Sequence, residues 1–293
     1  MFNILYKENL MKFKNLLATL VLGSMLATTA QAEISYQHIR NATAKIQYGE
    51  ATFLVDPYLA PKGTYAGFAG TKNSEKRNPL IELAEPVESV LKGVDAVIVT
   101  HTHDDHWDET AQKRIDKNLP IFVQDANDAK IIRGQGFKDV RVIGKNTEFK
   151  NVKLSKTGGQ HGTDAMYSNP MMAELLGEAM GVVFQTDNEK TLYIVGDTIW
   201  NDEVETALTK HNPDVIVMNT GHAEFAQGND SIIMGTNDVA KMADVMPKAN
   251  IITVHMDAVN HATISSDNMR AFIKGKAFEK RVAVPKESET LKY

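Results

Sequence analysis

Six consecutive residues in the first half of the chain carry a high density of metal-ligand side chains: His101-Thr102-His103-Asp104-Asp105-His106. Histidine nitrogens and aspartate oxygens bind Zn²⁺ at about 2.0–2.2 Å, so several such side chains must converge on one point. His101 and His103 can point the same way from an extended turn, while Asp105 and His106 lie further round it. With nine histidines in 293 residues, such a run arises by chance on the order of one time in a thousand. Two pairs of ligands on one loop predict two neighbouring metal ions.

Further candidate site residues lie along the rest of the chain. His161 follows a glycine-rich turn, and Asp197 and His255 each follow an apolar segment. Asp197 has an alternative role, since an aspartate after a strand commonly caps the next helix. His261 competes with His255 for one position, and we favour His255 because it directly follows a predicted strand. His222 is either a surface turn residue or a site residue.

The elements that would position these residues alternate between strand and helix. A continuous apolar run, typical of a strand buried on both faces, directly precedes the histidine-rich turn. We predict strands at Ile34–His38, Lys45–Tyr48, Thr52–Val55, Ala96–Thr100, Ile121–Val123, Arg141–Ile143, Val152–Ser155, Val182–Gln185, Leu192–Val195, Asp214–Met218, Ile251–Val254 and Arg281–Val284. We predict helices at Glu109–Asn118, Asn127–Gly134, Glu203–Lys210, Asn237–Met246 and Ser266–Lys274. Two similar rounds of strands and helices without a linker indicate one α/β domain, with stacked sheets inside and helices outside.

Two long segments interrupt this alternation. Residues 60–79 are rich in Gly, Lys, Asn and Pro and predict a long loop. Residues 162–180 form a Met-rich, partly helical insert that is either an apolar lid over the site or a packing element. Long loops in compact domains are often functional. We therefore expect substrate specificity to lie in these two segments and in residues 222–235.

Composition excludes several functions. The net charge of −5 provides no basic field for nucleic acid, so we expect no nucleic-acid partner. The chain contains no cysteine, which rules out disulfides, thiolate metal ligands and a cysteine nucleophile. We expect a small-molecule substrate from the candidate metal site, and the oligomeric state stays open.

The N-terminus reads as a secretion signal. Lys12 and Lys14 precede an uncharged stretch that ends in Ala30-Gln31-Ala32, a pattern that signal peptidases accept. The apolar centre is shorter than the ~20 residues that a membrane span needs, so we expect no membrane anchor after cleavage. We predict a signal peptide at residues 1–32, a true start at Met11, a mature domain at residues 33–293 and a periplasmic or secreted location.

Together these motifs resemble the metallo-β-lactamase superfamily. The His-x-His-x-Asp-His run is the most specific motif of that superfamily, and four further motifs occur in the family order. They are Phe53-Leu54-Val55-Asp56-Pro57, Gly158-Gly159-Gln160-His161-Gly162, Tyr193-Ile194-Val195-Gly196-Asp197-Thr198 and Ile251-Ile252-Thr253-Val254-His255. The resemblance implies a four-layer αββα sandwich with a two-metal site at the edge between the sheets. Asp56-Pro57 and Met234-Gly235 followed by Asp238 resemble the ascorbate-6-phosphate lactonase-like branch.

The resemblance also implies a role for each residue. His101, His103 and His161 would hold the first metal, and Asp105, His106 and His255 the second, with Asp197 bridging both. Asp56 would orient ligands from outside. From its place in the turn, we expect Asp104 either to face solvent or to support the ligands from outside. Zn²⁺ is the default ion for nitrogen and oxygen ligands, and Mn²⁺ and Fe use the same ligand types.

The expected reaction is hydrolysis of an ester, lactone, amide or phosphodiester by a metal-bridging hydroxide. Asp105 would accept or relay the proton of the attacking water, and His222 or His261 would protonate the leaving group or bind a substrate anion. Two alternatives remain open: a diiron redox enzyme on the same fold, and a non-catalytic binding protein. His103 argues against the first, because flavin-linked diiron relatives usually carry Glu there. The complete ligand set argues against the second.

Overall fold

Two seven-stranded sheets form the centre of the computed structural model of this chain, which describes residues 33–293. The strands of the first sheet are β1 (Ser35–Arg40), β2 (Thr43–Tyr48), β3 (Ala51–Val55), β4 (Ala96–Val99), β5 (Ile121–Val123), β6 (Val140–Val142) and β14 (Thr290–Lys292). The strands of the second sheet are β7 (Thr147–Phe149), β8 (Val152–Thr157), β9 (Gly181–Gln185), β10 (Leu192–Ile194), β11 (Val215–Asn219), β12 (Asn250–Val254) and β13 (Val282–Ala283).

Both sheets are mixed, and each contains a block of parallel strands. The strand orders are β14-β1-β2-β3-β4-β5-β6 and β13-β12-β11-β10-β9-β8-β7. Strands β3 to β6 are parallel in the first sheet, as are β10 to β13 in the second. The carboxyl ends of parallel strands lie at one edge of a sheet, which is where open α/β sheets bind ligands.

Helices cover the outer face of each sheet. The helices are α1 (Val87–Leu91), α2 (Glu109–Arg114), α3 (Ala126–Gly134), α4 (Asp164–Tyr167), α5 (Pro170–Leu176), α6 (Asp202–His211), α7 (Thr236–Val245) and α8 (Ser266–Ile273), with a 3₁₀ turn at Glu279–Arg281. Helices α1 to α3 pack on the first sheet, and α6 to α8 pack on the second. Within residues 33–293, no helix has the length and hydropathy to cross a membrane.

Alternating side chains build the layers. On β3, Phe53 and Val55 point into the core between the sheets, whereas Leu54 joins the core beneath the helices. On β12, Ile252 and Val254 likewise face the other sheet, while Ile251 faces the helices. This period of two is that of a strand buried on both faces. The structure therefore confirms the predicted single-domain, four-layer αββα sandwich, which is the metallo-β-lactamase fold.

Most predicted elements are present, with differences at their ends. Helix α2 ends at Arg114, four residues earlier than predicted, and Asp116 Oδ1 instead accepts hydrogen bonds from the backbone and side chain of Asn118. Such a local turn competes with helix continuation. The last predicted strand shrinks to β13, because its first residue belongs to the 3₁₀ turn. The sequence reading missed α1, β7 and β14. The predicted signal peptide lies outside the described residues.

Candidate metal centre

Strand ends from both sheets deliver the candidate ligands to one edge of the sandwich. Asp56 follows β3, and His101 lies two residues beyond β4. In the second sheet, Asp197 lies three residues beyond β10, and His255 directly follows β12. Because the parallel blocks end at the same edge, residues far apart in sequence meet there. His106 Nε2 lies 3.1 Å from His255 Nε2, although 149 positions separate them.

The histidine-rich turn is a tight one. The backbone N–H groups of His106 and Trp107 both donate to the carbonyl of His103, each at 2.9 Å. The buried indole of Trp107 anchors the turn among the side chains beneath α1 to α3. His101 and Asp105 are buried, whereas Asp104 faces solvent, as the sequence indicated. The turn therefore directs its ligand atoms inward.

Seven predicted ligands converge into overlapping groups. Within each group, one ligand atom per residue lies within 4.8 Å of the others. The groups are His101 with His103 and His161, Asp105 with His106 and His255, and His101 with His106 and Asp197. The first two match the two ligand triads expected from the family motifs, and the third links them through Asp197. His255, and not His261, is the histidine brought into these groups.

Asp197 lies at the centre of the cluster. Its Oδ2 atom is 3.2 Å from His106 Nε2, 3.5 Å from both His161 Nε2 and His255 Nε2, and 4.0 Å from His101 Nε2. Gly196 makes this approach possible. Its φ of +79° favours glycine, and a Cβ there would lie 2.4 Å from the carbonyl oxygen of Met180.

Asp56 orients the turn from below. Its carboxylate accepts hydrogen bonds from the Thr100 backbone N–H at 2.7 Å, the Thr100 hydroxyl at 2.8 Å and His106 Nδ1 at 2.8 Å. A hydrogen bond at Nδ1 fixes the tautomer, so that Nε2 carries the lone pair toward the cluster. Asp56 therefore has the supporting position that the sequence predicted.

Two supporting residues escaped the sequence analysis. Asn219, the last residue of β11, donates through Nδ2 to Asp197 Oδ1 at 2.6 Å. Asn41 lies in the turn between β1 and β2 with φ of 57°, and its Nδ2 contacts the Asp105 carbonyl at 3.2 Å and His255 Nε2 at 3.2 Å. A polar residue at an apolar strand end was the signal for Asn219, and an Asn in a predicted hairpin turn was the signal for Asn41.

The electrostatics pair cationic histidines with carboxylates. Burial lowers the pKa of His106, but Asp197, Asp105 and Asp56 outweigh it and raise the pKa well above its ordinary value. Despite burial, His106 and His255 hold the pKa of Asp105 well below its usual range. Burial also lowers the pKa of His161 to about 3, so this imidazole is neutral. The cluster thus contains both ionised carboxylates and neutral imidazole nitrogens.

The residues fit a metal site. Both ring nitrogens of His161 are buried without a hydrogen-bond partner among the described residues, which is costly unless another group binds them. The Nε2 atoms of His106 and His255 face each other at 3.1 Å, a contact of two groups that each offer a lone pair to a metal. The donor set consists of nitrogen and oxygen atoms alone, which suits Zn²⁺, Mn²⁺ and Fe.

A cavity of about 370 Å³ opens above this cluster. We call the seven converging side chains the ligand floor: His101, His103, Asp105, His106, His161, Asp197 and His255. We call the apolar side chains around the cavity the apolar wall: Phe68, Ala69, Leu175, Leu176, Phe225 and Ile232. The wall comes from residues 60–79, 162–180 and 222–235, the three segments in which we expected substrate specificity to lie.

The two histidines proposed as proton donors differ in position. His261 lines the cavity, its ring meets Phe68 edge-on at 4.9 Å, and burial lowers its pKa to about 4. His222 is absent from the cavity lining among the described residues. Its ring lies beside Gly235, and its Nε2 is 3.5 Å from Glu224 Oε1. The structure therefore brings His261 to the site and leaves His222 outside it.

Comparisons with known proteins identify the family. The profile of the beta-lactamase superfamily domain matches residues 52–256. The chain is 42% identical to UPF0173 protein YddR of Bacillus subtilis (strain 168), over 86% of this chain and 97% of that protein. A possible metal-dependent hydrolase from Veillonella parvula DSM 2008 is 52% identical, with a TM-score of 0.87 over 89% of this chain and 99% of its own.

A second solved structure is also similar. The isothiocyanate hydrolase from Delia radicum gut bacteria is 40% identical, with a TM-score of 0.85 over 88% of this chain and 98% of its own. The chain therefore belongs to the metallo-β-lactamase superfamily and, within it, to the UPF0173 metal-dependent hydrolases. The resemblance to the ascorbate-6-phosphate lactonase-like branch stays a prediction.

Proposed function

We propose that this protein is a binuclear metal-dependent hydrolase that cleaves a small, uncharged electrophile with an apolar tail, of the isothiocyanate class. The observation that carries this proposal is the contrast within the cavity between a polar ligand floor and an apolar wall. The 40% identity to an isothiocyanate hydrolase supports the same substrate class.

The ligand floor is suited to two ions. His101, His103 and His161 would hold one ion, and Asp105, His106 and His255 the other, with Asp197 shared between them. Zn²⁺ is the ion we propose, because the donors are imidazole nitrogens and carboxylate oxygens. Bound there, the ions would supply an activated water and polarise the electrophile.

The lining of the cavity disfavours a phosphorylated substrate. It contains no lysine or arginine among the described residues, and the nearby Lys72 is paired with Glu224. Phosphate recognition ordinarily relies on cationic side chains or helix N-termini. An uncharged electrophile needs neither, and its apolar tail would lie against the wall.

The reaction balances with water alone. The water oxygen bonds to the central carbon of R–N=C=S, and the bond between that carbon and the nitrogen then breaks. The products are the amine R–NH₂ and carbonyl sulfide. Both protons of the water end on the amine nitrogen. Asp105, anionic and facing the cavity, accepts the first proton, and His261, which also lines the cavity, is placed to pass a proton to the nitrogen.

The test combines metal analysis with a substrate panel on the protein that begins at residue 33. We expect about two metal ions per chain and metal-dependent release of amine from phenyl isothiocyanate. We expect no hydrolysis of a phosphodiester. His103→Ala should lose both metal and turnover, whereas Asp104→Asn, on the same turn but exposed, should keep its metal. Turnover of a lactone or ester without any amine release from isothiocyanates would contradict the substrate class.

We also propose export. The signal-like residues 1–32 support it, and processing should leave Glu33 as the first residue of the mature protein. N-terminal sequencing of protein recovered from the native cell envelope tests this. A chain that still begins at residue 1 or 11 would contradict cleavage.

A further inference from the structure

A second chamber lies beside the cavity. It encloses about 280 Å³ and is lined by Tyr58, Tyr65, Ala66, Gly67, Phe68, Ala69, Asn78 and Asp104. Three of these residues, Phe68, Ala69 and Asp104, also line the cavity above the ligand floor. The shared residues therefore separate the two spaces, and Phe68 is the largest of them.

The second chamber is aromatic. The Tyr58 and Tyr65 rings stack with centroids 6.4 Å apart and planes 20° apart, and the buried guanidinium of Arg40 lies 4.8 Å from the Tyr58 ring centre. Burial raises the pKa of both tyrosines, so both hydroxyls stay protonated. The Tyr58 hydroxyl is buried and has no hydrogen-bond partner among the described residues. Flat rings with an unsatisfied hydroxyl suit an aryl or alkyl tail that carries a hydrogen-bond acceptor.

Phe68 is held on both sides. Its ring meets the His261 imidazole edge-on, with centroids 4.9 Å apart and planes 81° apart. Its backbone N–H donates to Asn260 Oδ1 at 2.9 Å. Asn260 and His261 are adjacent in the chain. Asn260 binds the main chain of Phe68, and His261 contacts the ring of Phe68.

Asn260 connects most of the neighbouring loop. Its side chain is buried, and Oδ1 also accepts from Asn78 Nδ2 at 2.8 Å. Its Nδ2 donates to Thr71 Oγ1 at 2.8 Å and to the Lys72 carbonyl at 2.7 Å. A primary amide has two lone pairs and two N–H donors, and all four are used here. A side chain with every polar atom satisfied has one orientation, so the loop that carries Phe68 is fixed.

We propose that Phe68 is a specificity-determining partition, held by Asn260 as its positioning residue. The partition confines substrates to the cavity above the ligand floor and keeps longer tails out of the aromatic chamber. The expected effect on isothiocyanate turnover rests on the proposed function, whereas the expected effect on the binding of metal-chelating probes does not. Removing the ring joins the two chambers, so a long tail gains aromatic surface to bury while a short one gains none.

The test compares short and long tails in two series. The substrates are phenyl and 4-phenylbutyl isothiocyanate, and the metal-chelating probes are benzohydroxamic and 5-phenylpentanohydroxamic acid on zinc-loaded protein. Phe68→Ala should raise the long-to-short ratio about tenfold in kcat/KM and in hydroxamate affinity. Phe68→Leu should give a smaller rise in both ratios. It replaces Phe68→Ala in the test if the alanine variant does not fold. Phe68→Tyr should restore the wild-type ratio.

Asn260→Ala should shift both ratios in the same direction as Phe68→Ala, with metal content unchanged. Glu75→Ala is the matched control, because Glu75 lies on the same loop, is exposed and lines neither the cavity nor the second chamber. It should leave both ratios at the wild-type value. Unchanged ratios in both Phe68→Ala and Phe68→Leu would overturn the partition. A shifted hydroxamate ratio without isothiocyanate turnover would support the partition and refute the proposed substrate class.

Discussion

The ligand floor and the apolar wall of one cavity are built in different ways. Floor residues lie a few residues beyond strand ends, and all but His103 are buried, with Asp197 at 3% and His255 at 1% exposure. Wall residues lie on loops and on the short helix α5, where Leu175 is 58% exposed. Strand ends are positioned by the sheets, whereas loops vary without disturbing them. The comparison shows how one scaffold can keep its chemistry while its substrate changes.

Hydrogen bonding reinforces this difference. Asp56 and Asn219 hold floor residues through buried side-chain hydrogen bonds of 2.6–2.8 Å. Among the described residues, wall and floor share one hydrogen bond, from His103 Nε2 to the Leu175 carbonyl at 3.2 Å. Substitutions in the floor should therefore change metal binding, and substitutions in the wall should change substrate binding.

We expect the largest effect on the ligand floor from Asp197→Ala. It removes the carboxylate at the centre of the floor and should weaken metal binding more than the roughly 10- to 100-fold typical of supporting residues, with activity lost in parallel. Isothermal titration with Zn²⁺ measures the change. Asp104→Ala is the control, because that carboxylate is exposed, and equal metal affinity in the two variants would contradict the assignment.

A second test uses pH. Carboxylates raise the pKa of His106 and of His255 despite burial, so the metal-free floor holds extra protons near neutrality that a metal must displace. Metal affinity should consequently rise with pH until the pKa values of these two histidines are passed, by about tenfold per pH unit for each proton displaced. Chelator competition on either side of neutrality measures the slope. A flat profile would show that neither histidine is protonated in the metal-free protein.

Asp56→Ala should have a smaller effect. His106 loses its Nδ1 partner and Thr100 loses two, so we expect metal affinity to fall roughly 10- to 100-fold. The pH slope of metal binding should also become shallower, because Asp56 is one of the groups that raise the pKa of His106. An unchanged zinc affinity would mean that the turn orients His106 without this carboxylate.

The smallest effect is expected in the wall. Leu175→Ser removes an apolar contact over the cavity and should raise KM for an aryl isothiocyanate by a factor of about 3 to 10, with kcat and metal content unchanged. Met171→Ser is matched to it, since Met171 lies on the same helix, is 80% exposed and is not part of the lining. Loss of metal from Leu175→Ser would contradict the separation of roles, because it would show that a wall residue also supports metal binding.

The floor could be predicted residue by residue from the sequence, whereas for the wall only the three contributing segments could be named, for a physical reason. Asp56, Asp197 and His255 each follow an apolar run, and a chain that leaves a buried strand must emerge at the sheet edge. The same rule applied to Asn219 would have found it. No comparable rule locates Phe68, whose position depends on Asn260, a hydrogen-bond partner 192 residues away. His222 lies three residues beyond β11, as Asp197 does beyond β10, yet it lies outside the site, so a position after a strand does not by itself bring a side chain into the floor.

The floor draws on both halves of the chain, and this determines when it can form. His106 follows the first sheet and His255 the second, so their 3.1 Å approach requires both sheets to have formed and docked. Contacts of such long sequence separation are slow to close, because the loop entropy is lost before they are rewarded. A nascent chain still lacking β12 and the residues after it lacks His255, one of the three groups expected to hold the second ion. We therefore expect the site expected for the second ion to be complete only after both sheets have folded and docked, so that a metal bound there would stabilise chains that have already folded.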